Sequence, residues 1–317
     1  MSHSLNQTTE SEKIRVRLYR FDPAIDQAPR YDSYEVPRTP RMRIMDALNY
    51  IHEDLAVDFG YRWLCSTKKC GTCAVNVNGS PRLACWEEAE SDMTIEPLSH
   101  MPVVRDLVTS RDSFETALST LSPLIVRKTE YAGFPEPLTA VDMAPTEHLR
   151  DCIQCLACQA ACPVLDQADS GFAGPALLVA LSELAQDPRD GEDRARLASE
   201  TAQVFKCVSC YECERVCPAE IPIVREAIEP LKRLARPTGT SPGAKRADAF
   251  LAVVEERGYA NGALIAMRTK GVTLSAIRLA VRMALRGKID LVEIFLKRAS
   301  TKVGALRRTY ESSKENK

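Results

Sequence analysis

Twelve cysteines carry the chemistry legible in this chain, and all of them fall into three runs. Cys65, Cys70, Cys73 and Cys85 read C-x4-C-x2-C, with a fourth Cys after a short hairpin. That spacing suits a [2Fe-2S] centre. Cys152, Cys155, Cys158 and Cys162-Pro163 form the second run, and Cys207, Cys210, Cys213 and Cys217-Pro218 the third. Each of these reads C-x2-C-x2-C-x3-C-P, the spacing of [4Fe-4S] ligands. Thiolates are soft, charged donors, and four of them must converge on one cluster, which demands a tight loop rather than a helix or strand.

In two-cluster ferredoxins the fourth Cys of each run crosses to the other cluster. On that pattern Cys152, Cys155, Cys158 and Cys217 bind one [4Fe-4S] centre, and Cys162, Cys207, Cys210 and Cys213 bind the second. The Pro after each crossing Cys has no N–H and a fixed φ, which suits a chain turning away from a cluster. Structural zinc and disulfides are the alternative uses of such cysteines. Neither requires the x3-C-P ending on both runs. Cluster chemistry moves single electrons and needs a donor and an acceptor. Neither is visible here: the chain has no Gly-rich phosphate loop and no dinucleotide fingerprint. His3, His52, His100 and His148 show no spacing that would make a metal site or a catalytic pair, and no catalytic residue is assigned.

The elements that must position the ligands follow from periodicity. Ile14, Val16 and Leu18 alternate over 14–21 and the pattern repeats over 31–36, predicting two half-buried strands. Thr39 as N-cap and Pro40 at the first position predict a helix carrying Ile44, Met45, Leu48, Ile51 and Leu55. A strand over 74–77, a turn at Asn78-Gly79 and a last strand over 94–96 complete a small mixed domain. Trp63 and Trp86 flank the first cluster and are expected to shield it from water. One helix is expected over 104–118, before Pro123, Pro135, Pro137 and Pro145 break further periodicity. Helices over 175–184 and 222–234 then accompany the two C-x2-C-x2-C-x3-C-P runs.

The fold class expected is α+β. A β-grasp plant-type [2Fe-2S] ferredoxin domain occupies 13–110 and an all-α two-cluster ferredoxin domain occupies 111–236. A Pro/Gly/Ser/Thr linker over 237–243 opens a basic helical docking extension at 237–317.

At 317 residues and 45% hydrophobic content, the chain is long enough for two modest cores. Its net charge of −1 hides an asymmetry. Residues 1–229 carry 23 basic and 36 acidic side chains, and residues 230–317 carry 19 and 7, net charges of −13 and +12. Such a basic block reads as a surface for an anionic partner, either an acidic protein face or lipid headgroups. Nucleic acid is not expected, because the tail is poor in aromatic residues and has no nucleic-acid-binding motif. Within 273–286, Arg278, Arg282 and Arg286 make one narrow stripe while nearly every other position is apolar. No signal peptide and no membrane-spanning helix are expected, since the first dozen residues are polar and no run of about eighteen apolar residues occurs, and reduced thiolates point to the cytoplasmic side.

A plant-type [2Fe-2S] segment followed by two C-x2-C-x2-C-x3-C-P runs resembles the iron-sulfur subunit of succinate dehydrogenase and fumarate reductase over about residues 14–235. The segment Pro97-Leu98-Ser99-His100-Met101-Pro102-Val103-Val104-Arg105-Asp106-Leu107 resembles the one that joins the two domains there. The resemblance implies an FAD-containing flavoprotein subunit handling succinate and fumarate, and electrons moving through the [2Fe-2S] centre, the first [4Fe-4S] centre and the last cluster. It also implies a peripheral place on the cytoplasmic face of the inner membrane.

Two departures sharpen the resemblance. Cys210 adds a ligand where the usual member has none and holds a [3Fe-4S] cluster, so the last cluster is expected to be [4Fe-4S], with [3Fe-4S] the alternative. The usual quinone-site residues are missing: Val164, Leu165 and Asp166 follow Cys162-Pro163 where a tryptophan is usual, and Val208 follows Cys207 where a His is common. Both departures, with the basic tail, resemble variant complexes whose partner is similar to a heterodisulfide reductase subunit with CCG motifs, quinone then being reached only indirectly. Ser66-Thr67-Lys68-Lys69 also differs, since relatives usually have an Arg and a Gly between the first two ligands. Two positive charges there are expected to raise that cluster's potential. A different flavoprotein acting on another dicarboxylate or a thiol pair, and a free ferredoxin-like carrier, are the competing readings. The long basic tail argues against the carrier.

Overall fold

A computed structural model describes residues 12–131, 133–167, 170–271 and 274–287. Its sheet forms where the alternation predicts. β1 (Lys13–Arg20) and β2 (Arg30–Pro37) pair antiparallel from Lys13↔Pro37 to Arg20↔Arg30. Ile14, Val16 and Leu18 are buried while the residues between them face solvent, the period-2 pattern of a strand with one face on the core.

The first helix, α1 (Ile44–Glu53), starts later than the Thr39-Pro40 signal indicates. Arg41 at φ +57 interrupts the approach. The first N–H groups of α1 instead find carbonyls across the fold: Ile44 N donates to Glu87 O at 3.1 Å and Met45 N to Ala84 O at 2.8 Å. These bonds satisfy donors that a capping side chain would otherwise take. Ile44, Met45, Leu48 and Ile51 are buried against the sheet, whereas Leu55 lies beyond the helix and is exposed.

β3 (Ala74–Val77) and β4 (Ser80–Leu83) form the hairpin around Asn78-Gly79, both of which have positive φ as a tight two-residue turn requires. β5 (Asp92–Glu96) runs parallel to β1 and antiparallel to β3, giving the order β2-β1-β5-β3-β4. Where a helix over 104–118 was expected, the chain makes a small hairpin, β6 (Val103–Arg105) and β7 (Val108–Thr109), before α2 (Asp112–Ser119). Asp106 at the tip explains the difference. Its buried carboxylate accepts from Phe21 N at 3.0 Å, Gly60 N at 2.8 Å and Arg20 Nε at 3.1 Å, contacts available only from distant chain.

Beyond this point the chain is helical: α3 (Ala140–Met143), α4 (Ala157–Ala160), α5 (Pro175–Ala185), α6 (Arg194–Arg196), α7 (Glu212–Arg215) and α8 (Glu229–Ala235). α5 is buried along nearly its whole length, and Ser182 Oγ donates to Ala227 O at 3.1 Å. The single helix expected over 222–234 is a π-helical segment, Ile223–Ile228, that continues as α8.

Two compact units result, Met1–Glu192 with Cys207–Pro230, and Asp193–Lys206 with Leu231–Lys317. Every cysteine belongs to the first. In the second, the expected linker over 237–243 is largely taken up by a short 3-10 turn and the start of α9 (Pro242–Arg257). Ser241 caps that helix by accepting from Ala244 N, with Pro242 at the first position. α10 (Gly262–Lys270) is capped by Asn261, and Ala249, Val253, Leu264 and Ile265 form a small core between α9 and α10. α11 (Leu274–Leu285) follows. Among the described residues no helix is long and apolar enough to cross a membrane.

Candidate cluster-binding sites

The loop over 65–73 wraps inward through residues of positive φ: Ser66 (+53), Lys68 (+59) and Gly71 (+69). Lys68 takes up the left-handed conformation despite its Cβ, at a cost of about 1–2 kcal/mol. The winding aims backbone donors at sulfur: Thr67 N and Lys69 N lie 3.4 Å from Cys65 Sγ, and Cys70 N lies 3.3 Å away. Those three N–H groups pull the Cys65 thiol down to about 6, favouring the thiolate that ligates iron. The Cys65 and Cys70 side chains are in hydrogen-bond contact, and so are those of Cys73 and Cys85. Burial pushes Cys73 up to about 12.

Trp63 and Trp86 flank this loop and are 50% and 44% exposed, so about half of each side chain faces solvent. Trp63 donates its indole N–H to Ser66 Oγ. Trp86 instead receives two cations on its ring, Lys68 Nζ at 5.4 Å and the Arg43 guanidinium at 5.6 Å from the centroid.

The other eight cysteines line two cavities. Cys152, Cys155, Cys158 and Cys217 line one, together with Leu156, Val179, Ile221 and Ile223. Cys162, Cys207, Cys210 and Cys213 line another, with Phe172, Val224 and Ile228. The last Cys of each run thus sits with the first three of the other. Burial raises the Cys155 thiol to about 11 and Cys213 to about 12, lifts Cys158 well above its usual value, and also raises Cys152 and Cys162. Thiolates in such apolar surroundings need a compensating positive core, which iron bound among them would supply. Among the described residues no three His, Cys, Asp or Glu side chains converge on a point that one ion would fill.

The sequence repeat is also a repeat of backbone and capping. Gln154 and Leu156 have φ +50 and +64, and their equivalents Ser209 and Tyr211 have +54 and +64. Gln154 N donates to the Cys152 thiol as Ser209 N does to Cys207 Sγ, the latter at 3.4 Å. The residue after each third cysteine caps the next helical segment: Gln159 Oε1 accepts from Ala176 N at 3.2 Å, and Glu214 Oε1 from Val224 N at 2.8 Å. Gln159 and Glu214 hold the loops to their helices, and nothing in the spacing alone singles them out. The histidines are peripheral: His148 pairs with Glu226, His100 with Asp166, and His52 bonds Val57 O, while His3 lies outside the described residues.

Two family models match this arrangement: a 2Fe-2S iron-sulfur cluster binding domain over residues 15–116 and a 4Fe-4S dicluster domain over 148–221. The fumarate reductase iron-sulfur subunit of Escherichia coli O6:H1 is 33% identical over 218 residues, spanning 67% of this chain and 89% of that protein. This chain belongs to the family of fumarate reductase and succinate dehydrogenase iron-sulfur subunits. A solved chain from the Mycobacterium smegmatis Sdh1 complex in the apo form superposes with a TM-score of 0.67 at 27% identity, covering 73% of this chain and 99% of that one. One subunit of the fumarate reductase (CoM/CoB) of Methanothermobacter marburgensis is 34% identical over 229 residues, 72% of this chain. The chain spans only 46% of that relative's length. Family membership fixes the cofactor content as a 2Fe-2S domain with a sheet, followed by a helical 4Fe-4S dicluster domain.

Proposed function

We propose that the chain is the electron-transfer subunit of a succinate dehydrogenase or fumarate reductase, itself non-catalytic. In this reading Cys65, Cys70, Cys73 and Cys85 hold the [2Fe-2S] cluster in a β-grasp domain at 13–110. Cys152, Cys155, Cys158 and Cys217 hold the first [4Fe-4S] cluster in a domain at 111–236, and Cys162, Cys207, Cys210 and Cys213 hold the second. The extension at 237–317 serves docking. The observation that carries the reading is the pairing of two crossed cysteine quartets with a loop whose N–H groups converge on Cys65 Sγ. When bound, the clusters accept and release single electrons. The chain's own residues hold them close together, direct N–H groups at the sulfurs and keep apolar walls behind the buried quartets.

An FAD-containing flavoprotein supplies or takes electrons at the [2Fe-2S] end. At the other end Cys210 is exposed, Val208 is 67% exposed and Tyr211 stands beside them, so the second quartet opens onto an apolar rim suited to a protein acceptor. We assign that rim to a membrane-associated or CCG-motif subunit, with quinone reached indirectly and the complex at the cytoplasmic face of the inner membrane. A thiol-linked flavoprotein complex is the second reading. It is favoured by the relative whose name couples fumarate reductase to CoM/CoB and by that protein's additional length.

Anaerobic affinity purification from host membranes, with mass spectrometry of what survives a salt wash, tests this. Recovery of a succinate-type flavoprotein and a CCG-motif subunit is expected. An unrelated flavoprotein, or none, overturns the succinate assignment.

A further inference from the structure

The described part of the second unit ends on α11, whose described side chains, apart from half-buried Met283, fall into two stripes. Ile277, Val281 and Leu285 recur every four residues and are 48%, 48% and 83% exposed. Arg278, Arg282 and Arg286 recur one position later and are exposed as well. With about 3.6 residues per turn, the basic stripe runs beside the apolar one, a little over a quarter-turn around the helix. A helix packed on its own domain turns the apolar stripe inward and the charges outward. Here, among the described residues, both stripes face solvent. No Asp or Glu occurs between Arg257 and Ile289, so nothing on this stretch neutralises the arginines locally.

We propose that α11 is a membrane-surface helix that lies flat on an anionic phospholipid leaflet. Ile277, Val281 and Leu285 enter the boundary between headgroups and acyl chains, and Arg278, Arg282 and Arg286 reach lipid phosphates along the flank. The partner is selected by charge and shape together. Guanidinium groups fork phosphate oxygens bidentately, and a continuous anionic leaflet matches a basic row along one helix edge. The net charge of +12 over residues 230–317 adds a field of the same sign. α11 has 12 residues, so it rests on the bilayer rather than crossing it. The proposal is independent of which flavoprotein the chain serves.

Co-sedimentation of the full-length, cluster-loaded chain with lipid vesicles tests it without any partner subunit. Phosphatidylcholine vesicles are compared with vesicles in which about a third of the lipid is phosphatidylglycerol. Binding to the anionic vesicles, released by raised salt, is expected. Arg278→Glu/Arg282→Glu/Arg286→Glu should weaken it at least ~100-fold, at about fivefold for each positive charge removed. Val281→Asn/Leu285→Asn should weaken it about tenfold or more while leaving the salt dependence in place. All these positions are exposed, and unchanged cluster absorption together with unchanged helical circular dichroism checks that each variant folds. Equal binding to neutral and anionic vesicles, no binding, or variants that bind like the parent would overturn the proposal. So would an Arg variant that keeps the vesicles but sheds a subunit from the purified complex, since the face would then belong to a protein.

Discussion

Gly71 of the first cluster loop touches Cys155 of the second: a Cβ on Gly71 would lie 2.9 Å from both Cα and Cβ of Cys155, and 2.9 Å from the carbonyl oxygen of Ile153. Gly71 also sits at φ +69. Nearby, Arg111 Nη1, just before α2, donates to Gln154 O at 2.9 Å and anchors the second loop. Backbone-to-backbone contact of this kind sets how close two clusters can come. Gly71→Ala should cost about 1–3 kcal/mol through strain and overpacking. It should also slow electron passage from the [2Fe-2S] to the first [4Fe-4S] centre, read by freeze-quench paramagnetic resonance. Wild-type transfer in the variant would mean that the loops are not held by this contact.

Asp106 is the second point of fixation. Its carboxylate serves Arg20, Phe21 N and Gly60 N, so Asp106→Ala strands three donors at a buried site. A loss of about 3 kcal/mol in chemical denaturation is expected. Phe21 N and Gly60 N use different oxygens, so Asp106→Asn keeps an acceptor for only one of them, loses the charge facing Arg20, and should recover only part of the loss.

His148 Nδ1 lies 2.8 Å from Glu226 Oε2, and the carboxylate raises the imidazole above its usual 6.5. A folded value above the unfolded one means the pair's contribution is fully present below about 6.5 and is lost as pH rises through the folded value. The stability difference between the parent and His148→Gln should therefore be largest below that range and vanish at higher pH. Denaturation midpoints of both proteins across neutral pH check this, and a difference that grows with pH would reverse the sign.

Cys210 is the exposed member of its quartet. Cys210→Ser should convert the second [4Fe-4S] centre to [3Fe-4S], visible as a new signal in the oxidised protein. A strong signal of that kind in the parent, unchanged in the variant, would remove Cys210 from the ligand set.

What the sequence made legible is what local chemistry decides. Cysteine spacing specifies ligands because the loops are short, and Asn78-Gly79 specifies a hairpin because only such residues take both positive φ values readily. The start of α1 was hidden because carbonyls of Ala84 and Glu87, some forty residues on, replace the Thr39 cap. The β6–β7 hairpin was hidden for the same reason, since Asp106 draws its partners from Arg20, Phe21 and Gly60. Proximity in sequence places Trp63 and Trp86 beside the first loop, and nothing in that proximity reveals that Lys68 and Arg43 lie over the Trp86 ring. The contact of Gly71 with Cys155 joins two loops more than eighty residues apart, beyond the reach of any motif.

The most direct test of the three-cluster assignment is iron and acid-labile sulfide analysis of the anaerobically purified chain, with spin quantitation of the dithionite-reduced sample. Two plus four plus four gives ~10 iron and ~10 sulfide per chain, with one [2Fe-2S] and two interacting [4Fe-4S] signals. Zinc in place of iron, with little sulfide, would contradict it.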